Sequence, residues 1–238
     1  MSELNVLELE SYLQPIIGKE GAQTFFNVKV GEAYHSVIGP IIEAEHKFVK
    51  PCKFEDLISK NQKIKILDLF FGLGYNTGIA LHYINKRLEN ETKNMSPEVE
   101  ILGIENDPLI LKQVKNLLVP EWYTKWKNLL SELSFHKKLE YKNISMKIII
   151  DDVFKIIGNL QEKSFDVIFF DPFSHKTKPE FWTEAFLNKV FNLLAPGGVL
   201  TTYSSLKKLR NCANDFGLSV IEIEPVGRKK PSLALKFI

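Results

Sequence analysis

The sequence lacks several features that mark whole classes of protein. Its only two cysteines, Cys52 and Cys212, lie far apart and outside any CxxC or histidine-rich spacing, which argues against a disulfide framework and a zinc site. No apolar run approaches the roughly 20 residues of a membrane-spanning helix. Residues 1–14 lack the basic and then apolar pattern of a signal peptide. These absences predict a cytoplasmic protein with no membrane contact and no metal.

Net charge is also small, but it is unevenly distributed. The formal charge is +2 over 238 residues, yet residues 172–238 hold ten Lys or Arg against five Asp or Glu. A basic carboxyl-terminal third can hold a polyanion on one face. With 45% hydrophobic residues, the chain can bury one substantial core, and a second full domain is not expected.

From residue 63 onward, apolar runs of strand length alternate with helical stretches, which predicts βαβ units and a parallel sheet. The predicted strands are Ile64–Phe70, Val99–Ile104, Met146–Ile150, Asp166–Phe170, Val199–Tyr203, Ser219–Glu224 and Leu233–Ile238. The segment between the last two strands is too short for a crossover helix, so they must form an antiparallel hairpin. We therefore predict an α/β fold over residues 61–238, with a mainly parallel seven-stranded sheet that ends in this hairpin.

Residues 1–60 are predicted to form an N-terminal extension that packs on this domain. It contains a predicted strand at Thr24–Val30 and a predicted helix at Pro40–Val49, which ends before Pro51. A further helix is predicted over residues 120–135, and residues 86–97 are predicted to be a surface loop. Trp122 and Trp126 are spaced to lie on one face of that helix, where they could stack bases, although core packing is the commoner use.

The strongest motif follows the first strand of the predicted sheet. The strand carries Asp68 and runs into Gly72, Leu73 and Gly74, and a helix begins near Asn76. Glycines at such a turn let the backbone approach a ligand closely. A third glycine, which a dinucleotide fingerprint needs, is absent, so the turn favours a ligand without a pyrophosphate. The alternative is an ordinary strand-to-helix turn.

Acidic residues also follow the second and third strands. Glu105, after the second, can accept hydrogen bonds from both ribose hydroxyls of an adenosine. A helix-capping or surface role is its alternative. After the third strand, we assign Asp152 to the adenine amine and Asp151 to the cap of the following helix.

The fourth strand ends in Asp171, Pro172 and Phe173. This element resembles the Asp/Asn-Pro-Pro-Tyr/Phe element of amine-methylating enzymes, in which a carboxylate and a backbone carbonyl align an amino nitrogen with the methyl donor. Because a free carboxylate has a pKa near 4, we expect Asp171 to orient the amine rather than to act as a strong proton acceptor. The alternative role is that of an N-cap or turn residue.

Taken together, these residues resemble the MnmC-like tRNA methyltransferases, which make 5-methylaminomethyl(-2-thio)uridine at the tRNA wobble position. The resemblance covers most of the chain. It is carried by Tyr34, His35 and Ser36 with Gly39 and Glu43, by 71–76, by Asp152 and Val153, by 171–173, by 178–183, by 195–198, by 202–205 and by 227–230. Pro172 departs from the glycine that the family leads us to expect.

The resemblance implies a class I, Rossmann-like fold and S-adenosylmethionine as the methyl donor. It implies methylation of the aminomethyl group of a modified wobble uridine in tRNA, with Asp171 as the catalytic residue. The donor-binding residues would be Asp68, Gly72, Gly74, Asn76, Glu105, Asp151, Asp152 and Asp171. The substrate-binding residues would be Tyr34, His35, Ser36, Phe173, Lys178, Arg228, Lys229 and Lys230.

The flavin-dependent oxidase half of the bifunctional enzymes is not expected in a chain of this length, so no FAD is expected. A separate protein or pathway would then supply the aminomethyl precursor. Other functions remain open: a small-molecule amine methyltransferase, a polyamine-synthase-like enzyme, or a non-catalytic RNA-binding protein of the same fold. A surface or structural role for His35 also remains open.

Overall fold

The structure is a computed structural model that describes residues 12–60, 62–89 and 97–237. A small N-terminal sheet contains β1 (Leu13–Ile17), β2 (Gln23–Asn27) and β3 (Glu32–Ala33). The main sheet contains β4 (Lys63–Leu69), β5 (Glu98–Glu105), β6 (Lys138–Tyr141), β7 (Ile144–Ile150), β8 (Phe165–Phe170), β9 (Leu194–Thr202), β10 (Leu218–Ile223) and β11 (Ser232–Phe237).

Eight α-helices lie in the described ranges. They are α1 (Pro40–Glu43), α2 (Phe54–Lys60), α3 (Tyr75–Glu89), α4 (Pro108–Gln113), α5 (Thr124–His136), α6 (Val153–Ile156), α7 (Glu184–Asn192) and α8 (Lys207–Asp215). Helix α1 continues without a break as a π-helical turn, Ala44–Val49, and a 3-10 turn, Lys50–Cys52. None of the helices in these ranges is long and apolar enough to cross a membrane.

The order of the main sheet is β10-β11-β9-β8-β4-β5-β7-β6. Strands β7, β5, β4, β8 and β9 are parallel neighbours, and β11 is antiparallel to both β9 and β10. This arrangement confirms the predicted α/β class and the closing hairpin. The chain leaves β4 toward β5 on one side, while β8 pairs with β4 on the other. Open sheets bind their ligands at the carboxyl ends of strands at such a switch point.

The strand counts differ from the prediction. The main sheet has eight strands because the short β6 pairs antiparallel with β7, through a turn in which Lys142 adopts a φ of 54°. The N-terminal extension contains three strands rather than one. Strand β1 contains Pro15, which a strand tolerates because β1 pairs with β2 alone. Of the predicted loop 86–97, residues 86–89 belong to α3, and 90–96 lie outside the described residues.

Side chains alternate across the main sheet and fill a core on each face. In β8, Val167 and Phe169 join the core on one face, and Ile168 and Phe170 join the core on the other. The two tryptophans of the predicted extra helix differ, since Trp126 is 3% exposed and Trp122 is 51% exposed. Trp126 therefore packs in the core, and Trp122 does not.

Hydrogen bonds of three side chains help to fix the N-terminal extension. The Glu20 carboxylate accepts from the first turn of α1, at 2.6 Å from Ile41 N and 2.8 Å from the next amide. The Tyr12 hydroxyl donates to Asp107 Oδ2 at 2.8 Å, just beyond β5. Glu32 Oε2 accepts from Ser174 N at 3.0 Å, in the loop after β8. These bonds place the extension beside the carboxyl ends of β5 and β8.

Candidate active site

A cavity of about 670 Å³ opens between the N-terminal extension and the carboxyl ends of β5 and β8. Many of the residues predicted for the site line it, although they come from distant parts of the chain. Those residues are Tyr34, His35, Ser36, Glu105, Asp171, Phe173, Lys178 and Arg228. The structure thus brings the expected donor and acceptor groups into one space.

The glycine turn after β4 has the backbone conformation that the motif predicts. Gly72 has a φ of 54° and Gly74 has a φ of 76°, values that residues with a side chain rarely adopt. A Cβ at Gly74 would come within 2.6 Å of the Phe71 ring, whereas one at Gly72 would lie 3.5 Å from the Tyr34 ring. Packing therefore requires a glycine at position 74, whereas at position 72 only the backbone conformation favours one.

The Glu105 carboxylate is held at the end of β5 by backbone amides. It is 7% exposed, and it accepts from Gly72 N at 2.7 Å, Asn106 N at 2.9 Å and Asp107 N at 2.8 Å. Burial raises its pKa to about 7, although the hydrogen bonds oppose the rise. Asp107, not Glu105, caps α4, by accepting from Leu109 N. The surface and helix-capping alternatives for Glu105 are thereby removed.

The first turn of α3 links two further acids. The Thr77 hydroxyl donates to Asp68 Oδ2 at 2.7 Å, and the Asn76 amide donates to Asp171 Oδ2 at 3.0 Å. Asp68 is 0% exposed, and its other oxygen has no partner among the described residues. Burial raises the Asp68 pKa to about 8. Asp68 does not line the cavity, so its direct contact with the donor stays a prediction.

Asp171 lies at the end of β8 in a rigid setting. The buried Trp182 indole donates to Phe173 O at 2.9 Å, and the Phe173 ring lies 5.0 Å from the Tyr34 ring. Burial raises the pKa of Asp171 to about 7. The pKa is therefore higher than the value near 4 of a free carboxylate, because Asp171 is half-buried at the end of β8. Asp171 can therefore exchange a proton at neutral pH.

The helix cap predicted for Asp151 is corrected by the structure. Asp152 Oδ1 caps α6 by accepting from Phe154 N at 2.9 Å. Asp151 Oδ1 instead accepts from Asp152 N and pairs with Lys155. We assigned the cap to Asp151, which was wrong because the helix begins one residue later than that role requires. Neither acid lines the cavity, and the adenine contact of Asp152 stays a prediction.

The N-terminal extension supplies a polar wall. His35 Nδ1 shares a hydrogen bond of 2.8 Å with the Thr24 hydroxyl, and burial lowers its pKa to about 4, so the imidazole is neutral at pH 7. The Ser36 amide and hydroxyl both donate to Glu43, at 2.9 and 2.8 Å. Lys47, one turn along the helix, donates to Glu43 Oε1. Sequence reasoning missed Lys47.

Basic residues lie at and near the cavity. Lys178 lines it and pairs with Glu180 at 3.6 Å. The Arg228 guanidinium packs 5.4 Å from the Tyr203 ring and donates to the carbonyl oxygens of residues 230 and 231. Arg228 therefore holds the β10–β11 loop as well as lining the cavity. Lys229 and Lys230 are exposed and do not line it.

Some lining residues were not assigned to the site from the sequence. Phe70 adopts a left-handed φ of 67°, where a glycine is usual, and its ring lies 4.5 Å from the Phe181 ring. Glu43 and Lys47 show i,i+4 spacing, which normally indicates an exposed pair. Tyr203 was noted only as part of the 202–205 segment that resembles the family, with no role assigned. Its hydroxyl is buried without a partner among the described residues.

Comparison with known proteins places this geometry among methyltransferases. A family described as S-adenosyl-L-methionine-dependent methyltransferase matches residues 116–236, about half of the chain. The crystal structure of MnmC2 from Aquifex aeolicus is similar to the whole chain and to 78% of that protein, with a TM-score of 0.81 and 25% identity.

Two relatives are similar in sequence over most of the chain. An uncharacterized protein of Methanocaldococcus jannaschii is 33% identical over 213 residues, which are 89% of this chain and 56% of that protein. The tRNA 5-methylaminomethyl-2-thiouridine biosynthesis bifunctional protein MnmC of Leptospira borgpetersenii is 21% identical over 87% of this chain and 32% of that protein. The chain thus spans between a third and a little over half of these two relatives.

Proposed function

The chain belongs to the S-adenosyl-L-methionine-dependent methyltransferases and is related to MnmC, and on that premise we propose that it methylates the amine of an aminomethyl group on a modified wobble uridine of tRNA. The observation that carries the proposal is the placement of Asp171. It shares one cavity with Glu105, and Asn76 from the first turn of α3 donates a hydrogen bond to its carboxylate. The proposed donor and acceptor groups therefore lie in one cavity.

The donor half of the cavity fits an adenosine-bearing cation. The Glu105 carboxylate at the end of β5 would accept from the ribose hydroxyls, and the Gly72–Gly74 turn would let backbone approach the methionine portion. Glu105 and Asp171 both have pKa values raised by burial to about 7. A positively charged ligand favours the ionised form of such acids, so the site complements a sulfonium.

The acceptor half fits an amine. Asp171 can accept a hydrogen bond from an amino group, and its pKa of about 7 allows it to take the proton that an ammonium must lose before it can attack. S-adenosylmethionine, when bound, supplies an electrophilic methyl group. Asn76 fixes one carboxylate oxygen at 3.0 Å, and Trp182 fixes the backbone of Phe173. Positioning by these residues supplies most of the rate, because charge moves from sulfur to nitrogen without a new ion forming.

Three observations support tRNA as the carrier of the amine. Relatives named for tRNA 5-methylaminomethyl-2-thiouridine biosynthesis match most of the chain. Lys29, Lys178 and Arg228 line the cavity, and two exposed lysines follow Arg228 in the loop. Such cations bind phosphates and release counterions. A separate protein would supply the aminomethyl group in this account.

The test is transfer of a labelled methyl group to defined acceptors. We expect transfer to tRNA that carries 5-aminomethyluridine and none to the same tRNA with unmodified uridine at the wobble position. Mass spectrometry of the digested product should show 5-methylaminomethyluridine. Transfer to a free polyamine or small amine, with none to tRNA, would support the small-molecule alternative. Binding of tRNA without any transfer would support the non-catalytic one.

A further inference from the structure

We propose that Lys47 donates hydrogen bonds to the ring carbonyl oxygen of the acceptor base, beside the amine that Asp171 holds. The inference rests on the proposed function and adds a residue that determines which base is accepted. It follows from the burial of Lys47, its unused donors and its place in the cavity.

Lys47 is an unusual lysine. It is 2% exposed, although lysine is almost never fully buried unless it is paired. It lies in the π-helical turn Ala44–Val49, a feature found frequently at functional sites. An interior ammonium costs free energy to desolvate, and one ion pair does not by itself recover that cost. A binding role would explain why a lysine occupies this position.

The Glu43 carboxylate holds Lys47 and is itself fully engaged. Glu43 Oε1 accepts from Lys47 and from the Ser36 hydroxyl, and Oε2 accepts from the Ser36 amide. A lysine ammonium has three donors, and Glu43 is the only partner of Lys47 among the described residues. The other two N–H groups of Lys47 have no partner among the described residues, and the residue lines the cavity.

Lys47 lines the same cavity as Asp171 and lies close enough for their charges to interact. Its free donors require an oxygen or another lone-pair acceptor on the ligand. In 5-aminomethyluracil, the aminomethyl group and the C4 carbonyl are on adjacent ring atoms, so one residue can hold the amine while the other holds the oxygen. Cytosine presents an amino group at that position, which cannot accept. Lys47 would thus select uracil.

The experiment compares three variants with the wild type. Lys47→Met alone leaves Glu43 buried without its cation and is expected to destabilise the fold. The informative protein is the double variant Glu43→Gln/Lys47→Met, which removes both charges together. The matched control is Lys50→Met, an exposed lysine at the end of the same helical segment. Each is assayed for donor binding by calorimetry and for kcat and KM with tRNA that carries 5-aminomethyluridine.

The double variant should bind donor within about twofold of wild type, while its KM for the tRNA rises about tenfold or more, as expected for a lost charge-assisted hydrogen bond. Lys50→Met should behave as wild type. A double variant with wild-type KM would overturn the inference, because Lys47 would then serve only to neutralise Glu43. Failure of the wild type to methylate this tRNA would instead overturn the proposed function, and the base contact with it.

Discussion

Donor affinity should depend on pH through Glu105, and the structure sets both the direction and the size. Its carboxyl has a pKa of about 7 in the free protein, because burial outweighs three backbone hydrogen bonds. If the donor requires the ionised carboxylate, one proton must leave before it binds. Affinity should then fall about tenfold between about pH 8 and about pH 6, since near pH 6 only about one molecule in ten is ionised.

Glu105→Gln is the matched variant because it keeps the shape of the side chain and removes the titratable carboxyl group. The variant should bind donor more weakly by roughly 1–3 kcal/mol at pH 8, and its affinity should depend less on pH than that of the wild type, because only Asp171 still titrates in the cavity. Calorimetry in buffers of different ionisation enthalpy would count the proton released. The donor-binding role of Glu105 would be refuted if wild-type affinity for the donor were equal at both pH values. It would also be refuted if the Gln variant showed the same pH dependence as the wild type.

At Glu105, folding stability changes with pH in the opposite direction to donor affinity. Because the folded-state pKa lies above the ordinary value near 4, the folded protein keeps a proton that the unfolded chain has lost between about pH 4 and pH 7. Stability of the wild type relative to Glu105→Gln should therefore decrease as pH rises through that window. Thermal melts on the two proteins would check it.

Three further predictions follow from the same geometry. The Tm of Asp68→Asn relative to wild type should rise as the pH increases from about 4 to about 8, because burial raises the pKa of Asp68 to about 8 and the folded wild type keeps a proton that the unfolded chain has lost; a Tm difference that does not change with pH would contradict this. Gly72→Ala should fold but lose donor affinity in calorimetry, whereas Gly158→Ala, which has open space and an ordinary φ, should keep it; equal affinity in both would remove the turn from the site. Lys229→Glu with Lys230→Glu should weaken tRNA binding and flatten its salt dependence while sparing donor binding, and an unchanged salt slope would mean that these charges are only solvated.

Much of the fold could be predicted from local pattern. The apolar run of β8 and the Gly-x-Gly turn can each be recognised within a single segment. Burial of the strand requires apolar residues, and the tight turn requires glycines. Strand β6 escaped prediction because it is short and its turn carries Lys142 rather than a glycine at the left-handed position. Strand β1 escaped because Pro15 argues against a strand unless the strand is known to be an edge.

From local pattern alone, the candidate site was predictable where a residue ends a strand, whereas Tyr34, His35, Ser36, Lys178 and Arg228 were predicted from the family resemblance. Glu105 and Asp171 follow parallel strands, so their convergence is implied by the topology. The Lys47–Glu43 pair was not predictable, since burial of that helical face depends on how the N-terminal extension packs against α3 and β9. The raised pKa of Asp171 also depends on neighbours distant in sequence, which sequence spacing does not report.

The most direct test of the account is single-turnover methylation of 5-aminomethyluridine tRNA by Asp171→Asn and Asp171→Ala, with thermal melts and donor binding on the same samples. Asp171→Asn should bind donor nearly as wild type but transfer the methyl group far more slowly, because an amide cannot take the proton of the amine. Asp171→Ala should be slower still, since it loses the orienting group as well. Full activity in a normally folded Asp171→Ala protein would contradict the account.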